Sequence, residues 1–83
     1  MRILYFAWLR ERIGVAEEDV SPPDSVRDVA GLIEWLKTRG EGYASAFADL
    51  TKIRAAIDQE HVQLDAPLKG AQEVAFFPPV TGG

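Results

Sequence analysis

The chain has 83 residues, 47 % of them hydrophobic and 27 % charged, which supports one domain around one core and argues against a deep, enclosed cleft. It contains no cysteine, which excludes disulfide staples, thiolate metal ligands and a side-chain thiol nucleophile. The formal charge of −4, from 9 basic and 13 acidic residues, argues against nucleic acid, whose binding relies on clustered Lys and Arg.

The N-terminal residues 2–7 are rich in strand formers on both faces, so the chain enters a strand at once, with no charged leader or apolar signal core. Trp8 to Ile13 fits a short helical turn closed by Gly14. Val15 to Val20 reads as a polar strand, stopped by Ser21-Pro22-Pro23-Asp24, and Glu17-Glu18-Asp19 within it reads as a solvated acidic cluster. The clearest element is a helix with Ser25 as N-cap and Asp28 at the capping-box position. Val26, Val29, Ala30, Ile33 and Leu36 form its apolar face, with Lys37 and Arg39 near its C-terminus and Gly40 as a left-handed cap. Tyr43 to Asp49 is expected to form a second, shorter helix.

Thr51 to Ile57 alternates, with Ile53, Ala55 and Ile57 on one side, as a strand does. A short strand over His61 to Leu64, a turn-rich crossing over Asp65 to Gly70 and a last strand over Glu73 to Phe77 follow. There is no internal repeat or linker, and no apolar run approaches the roughly 20 residues of a membrane span. The order implies an α+β roll with one main helix across a sheet, the first and last strands being good candidates for its centre. No membrane association and a cytoplasmic location are expected.

The side chains offer no convincing catalytic set. There is no Gly-rich phosphate loop and no His-Glu metal spacing, His61 is the only histidine, and no carboxylates fall into a paired acid/base spacing. Ser21, Ser25 and Ser45 suit a turn, a cap and a helix surface. Trp8 and Trp35 are expected to be packing residues.

The tail differs. Phe76-Phe77-Pro78-Pro79 ends a strand abruptly, because neither proline can donate to a sheet ladder, and the proline pair favours a stiff, extended exit. Val80-Thr81-Gly82-Gly83 can then reach about 13–14 Å. Gly82 and Gly83 can enter a channel too narrow for other residues, with the Gly83 carboxylate available for chemistry. A terminal glycine pair alone is more often a frayed end.

Glu73 through Gly83 resembles the C-terminal signature of the small, sulfur-carrier subunit family of molybdopterin synthase. Phe6-Ala7, Arg10-Glu11 and Gly14 are similar to that family's N-terminal pattern, as is Asp65-Ala66-Pro67-Leu68 ahead of the last strand. Asp58-Gln59 stands where the family often has Asn-Gln, an exchange that removes an amide donor from the turn. The resemblance implies a ubiquitin-like β-grasp domain over residues 1–77 and an extended tail over residues 78–83. It also implies a cycle run by partners. An adenylyltransferase uses ATP to convert the Gly83 carboxylate to an acyl-adenylate, a sulfur donor such as a persulfide displaces AMP, and a thiocarboxylate results. The large catalytic subunit of the synthase, in a heterotetramer, takes in Pro78, Pro79, Val80, Thr81, Gly82 and Gly83 and passes the sulfur to a pterin precursor. The carrier is then a non-catalytic co-substrate with no permanently bound cofactor and no metal.

Alternation divides the outer strands. With Glu73 facing solvent, Val74 and Phe76 point to the core and Phe77 outward; Ile3 and Tyr5 point inward, Leu4 and Phe6 outward with Arg2. Leu4, Phe6 and Phe77 then form an apolar docking patch beside the tail, unless the second short helix covers them as a two-sided core. Three other roles stay open: a carrier for thiamin, cysteine or tRNA thiolation, a ubiquitin-like protein modifier, and an interaction domain with an inert tail.

Overall fold

The computed structural model describes residues 1–79. Nine elements follow in chain order: β1 (Arg2–Tyr5), α1 (Ala7–Ile13), β2 (Glu17–Asp19), α2 (Val29–Lys37), α3 (Glu41–Ala46), a 3-10 turn (Leu50–Lys52), β3 (Arg54–Ile57), β4 (Glu60–Val62) and β5 (Glu73–Phe77). The strands form one five-stranded mixed sheet in the order β2-β1-β5-β3-β4. Only the β1–β5 pair is parallel, with Leu4 opposite Ala75 and Tyr5 opposite Phe76. This is the expected α+β β-grasp, with the first and last strands at its centre.

One face of the sheet carries the core. Ile3 and Tyr5 of β1, Ala55 of β3, and Val74 and Phe76 of β5 are buried against Val29, Leu32, Ile33 and Leu36 of α2. Leu9 of α1 and Phe47 after α3 close the same core, the Phe47 ring meeting Phe76 edge-on at 5.1 Å. Trp8 and Trp35 pack at its margin, with the Arg12 and Arg39 guanidinium groups over their rings. Among the described residues the other sheet face bears no helix, because the helical apolar stripes are used on the first.

Several local expectations are corrected. The main helix begins three residues later than Ser25 implies: Asp28, not Ser25, is the N-cap, its Oδ1 accepting from Gly31 N at 2.7 Å. Leu68 N donates to Arg27 O, and Asp28 bridges Pro67, so residues 27–28 are held extended by the crossing that precedes β5. The same crossing accepts from the first two helical amides, Val29 N to Ala66 O and Ala30 N to Leu64 O, leaving few orphan donors. Leu32 joins the buried stripe, while Val26 lies before the helix. The C-terminus closes at Thr38, whose Oγ1 donates to Trp35 O at 2.6 Å, so Gly40 is not its cap and instead precedes α3.

The second helix starts at Glu41 and ends at Ala46, two residues earlier than Tyr43 and three earlier than Asp49. Asp49 accepts from Thr51 N and Thr51 Oγ1, which winds residues 50–52 into a 3-10 turn and delays β3 to Arg54. β2 and β4 are shorter than expected, three residues each, and both are sheet edges.

The turn between β3 and β4 settles the Asp58-Gln59 exchange. Both residues have positive φ, 48° and 73°, the signature of a two-residue type I′ hairpin turn closed by Ile57 and Glu60. Asp58 Oδ1 accepts from Gln72 N at 3.1 Å and Glu73 N at 2.9 Å, so the site needs an acceptor and the lost amide donor is immaterial.

Candidate docking face and tail exit

The helix-free face of the sheet is built by register. Residues directly opposite one another across a ladder share a face. Leu4, Ala75, Ala56 and His61 are opposite in turn across β1, β5, β3 and β4, and Arg54 is opposite Phe77 one step further along. Leu4 is half-buried, Phe6 is 46 % exposed and Phe77 is half-buried, and all three lie on this outer face. The second short helix packs on α1 and α2 and not here, so the two-sided-core alternative is overturned.

Phe6 and Phe77 sit at the same end of their strands. The Phe6 amide donates to Phe76 O at 3.1 Å, extending the parallel ladder to the point where β5 gives way to Pro78 and Pro79. Beyond Phe6 the chain turns at once. Phe6 O accepts from Leu9 N at 3.1 Å, and Ala7 takes φ 55°, the left-handed region that alanine rarely adopts. That turn starts α1 without drawing Phe6 into the core. Pro78 and Pro79 are half-buried. Val80, Thr81, Gly82 and Gly83, which carry the proposed chemistry, lie outside the described residues.

Sequence reasoning missed three parts of this face. Ala56 and Ala75 point outward yet are only 7 % and 8 % exposed, because larger neighbours lean over them. One of those neighbours is His61, whose ring lies 5.1 Å from that of Phe77 although a strand separates them. The outward alternation of Ala56 was readable from Ile53, Ala55 and Ile57, but no short-range signal reveals that His61 reaches Phe77.

The acidic cluster also divides. Glu17 and Asp19 are exposed, as expected, and Glu17 lies 3.6 Å from Arg2. Glu18 is not a solvated residue: its Oε2 accepts from Tyr5 Oη at 2.8 Å and Tyr43 Oη at 2.7 Å, and its Oε1 from Arg39 at 3.3 Å. Burial, and then donation to Glu18, push both tyrosine hydroxyls above their ordinary value, with Arg39 opposing. This network lies on the core side and braces β1, β2 and α3 behind the helix-free face.

Among the described residues no group of three or more His, Asp or Glu could hold a metal ion. An open polar depression of 640 Å³ lined by Met1, Arg2, Asp19, Asp58, Gln59, Gln72 and Glu73 lies where β1 and β5 begin, at the opposite end of the sheet from Phe77. The described side chains bring no nucleophile and base together.

Residues 3–83 match the ThiS family model. The chain is 37 % identical to the molybdopterin synthase sulfur carrier subunit of Escherichia coli, over all of this chain and 99 % of the relative. It is 34 % identical to the human protein of the same name, over all of this chain and 93 % of that one. Its fold superposes on SAMP1, the small archaeal modifier protein 1 of Haloferax volcanii, with a TM-score of 0.76 and 27 % identity, covering 100 % of this chain and 98 % of that structure. The chain belongs to the ThiS family, in the group of molybdopterin synthase sulfur carrier subunits.

Proposed function

We propose that this chain is the sulfur carrier of a molybdopterin synthase and that its reacting group is the Gly83 carboxylate. The observation that carries the reading is the match to the family over residues 3–83, Gly82 and Gly83 included, joined to full-length similarity to named sulfur carrier subunits. A carboxylate at neutral pH is a poor electrophile. An adenylyltransferase therefore spends ATP to make the acyl-adenylate, releasing pyrophosphate. The outer sulfur of a persulfide-type donor then displaces AMP to form an acyl disulfide, and a thiol of the loading system cleaves its S–S bond, becoming a disulfide itself and leaving the tail as a thiocarboxylate, a polarizable sulfur nucleophile. The large catalytic subunit, in a heterotetrameric synthase of the cytoplasm, covers the Leu4–Phe6–Phe77 face and takes in residues 78–83. There the sulfur passes to a pterin precursor to build the dithiolene that binds molybdenum. The carrier supplies recognition and is consumed as a co-substrate.

The likeness to SAMP1 supports a second reading, in which the activated Gly83 is transferred to lysine amines as a protein modifier. Intact mass spectrometry after incubation with ATP, the cognate adenylyltransferase and a sulfur donor separates the two. Exchange of one terminal oxygen for sulfur is expected. Isopeptide-linked adducts of higher mass with no thiocarboxylate would favour the modifier, and an unchanged mass would overturn both. Deleting Gly83 should abolish loading and leave the circular dichroism spectrum intact.

A further inference from the structure

The charges on the outer sheet face are segregated. At the end where β1 and β5 begin stand Asp19 and Glu73 with Arg2 between them, and Glu17, one row further along on the edge strand β2 and across the sheet from His61, pairs with Arg2 at 3.6 Å. At the tail end, Phe77 is flanked by Arg54, directly opposite it, and by His61, whose ring packs on it at 5.1 Å. Arg54 is exposed, and its Nη1 donates to two backbone carbonyls, Thr51 O at 3.3 Å and Ile53 O at 3.0 Å. No carboxylate among the described residues pairs with it. Two backbone acceptors therefore hold the guanidinium of the residue opposite Phe77, while its other N–H groups have no acceptor among the described residues. A planar guanidinium held in this way is preorganised to take a carboxylate with little further loss of side-chain freedom.

We propose that Arg54, with His61 as a second donor, is an anchor beside Phe77 for a carboxylate of the catalytic subunit that receives the tail. The proposal rests on the docking reading above and deepens it. The apolar residues Leu4, Phe6 and Phe77 provide contact area but permit several rotations of a partner over the sheet. A positive corner at the tail exit and a negative corner at the far end allow one orientation, that which carries the partner's channel to Pro78 and Pro79. Charges at the margin of an interface act chiefly in this way, setting register and association rate.

The test is calorimetric titration of the full chain with the purified cognate catalytic subunit at low and high salt. Wild type should bind with an affinity that falls as salt rises, because a partly exposed ion pair is screened. Arg54→Glu should weaken binding at low salt by at least about tenfold, and Arg54→Leu should weaken it less and flatten the salt dependence. His61→Leu, which keeps apolar cover over Ala56 but loses the ring N–H, should weaken it several-fold. Phe77→Asp serves as the control for the docking reading itself. If Phe77→Asp abolishes binding while Arg54→Glu binds like wild type at both salt concentrations, the anchor is wrong and the docking face stands. If Phe77→Asp leaves the affinity unchanged, or wild type does not bind the subunit, the docking reading fails and the anchor with it. Thermal melts of each variant establish that the fold is retained.

Discussion

The Tyr5 hydroxyl donates to Glu18 at 2.8 Å, so a carboxylate from an edge strand is drawn to the core side of the sheet by a tyrosine from its centre. Tyr43 of α3 donates to the same oxygen at 2.7 Å. Replacing Glu18 by Ala leaves the buried Tyr5 hydroxyl without its acceptor, which costs about 1–3 kcal/mol. Urea denaturation should show that loss, and Glu18→Gln, which keeps an acceptor oxygen but loses the charge facing Arg39, should lose less.

The same network sets a limit in alkali. Burial and the Glu18 carboxylate raise both tyrosine hydroxyls in the folded state above the value of about 10 that they have unfolded. Above that pH the unfolded chain gives up protons that the folded chain retains, so stability falls as pH climbs past about 10. Below it the two states carry the same tyrosine protons and this contribution is constant. Denaturation midpoints measured across this range should decline, and Tyr5→Phe should make the decline shallower.

Gly42 reports how closely α3 approaches α1. A Cβ built there would lie 2.5 Å from the carbonyl oxygen of Arg12, so alanine forces the two helices apart. The strain of overpacking, about 1–3 kcal/mol, opposes the gain of roughly 1 kcal/mol in helix propensity. Gly42→Ala should therefore lower the melting temperature, although the same change in an open helix would raise it.

Positive φ at Gln59 and at Ala7 predicts the reverse. Neither residue is glycine, and both occupy the left-handed region, at 73° and 55°. Gln59→Gly should stabilise the hairpin by relieving strain of roughly 1 kcal/mol, reduced by glycine's greater freedom when unfolded. A rise of a few degrees in melting temperature is the expected readout for Gln59→Gly. Ala7→Gly should do the same while loosening the turn that follows Phe6.

Much of this architecture is legible in the chain. The span Glu73 to Phe77 coincides with β5, and strict alternation there and in residues 2–6 assigns Val74, Phe76, Ile3 and Tyr5 to the core. What alternation cannot reveal is partnership across long separations. Ser25 has the chemistry of a cap, but a loop some forty residues later holds the backbone after it extended and passes the role to Asp28. Glu18 looks like its two acidic neighbours until α3 brings Tyr43 to it. His61 is a solvated histidine in every local respect, and its contact with Phe77 exists only because two alanines intervene. The outward positions of Leu4, Phe6 and Phe77 were readable because each obeys a period of two; the place of Arg54 opposite Phe77 was not, since it depends on which strand pairs with β5.

The parallel pairing of β1 and β5 has a practical corollary. Two parallel neighbours start at one end of a sheet and finish at the other, so the Met1 amine, bonded to Val20 O at 3.1 Å, lies a full strand length from Phe77. A purification handle or fluorophore joined ahead of Met1 therefore projects from the pole remote from Phe77. Such a label can remain in place while the catalytic subunit is titrated, which lets the proposed docking be followed by fluorescence.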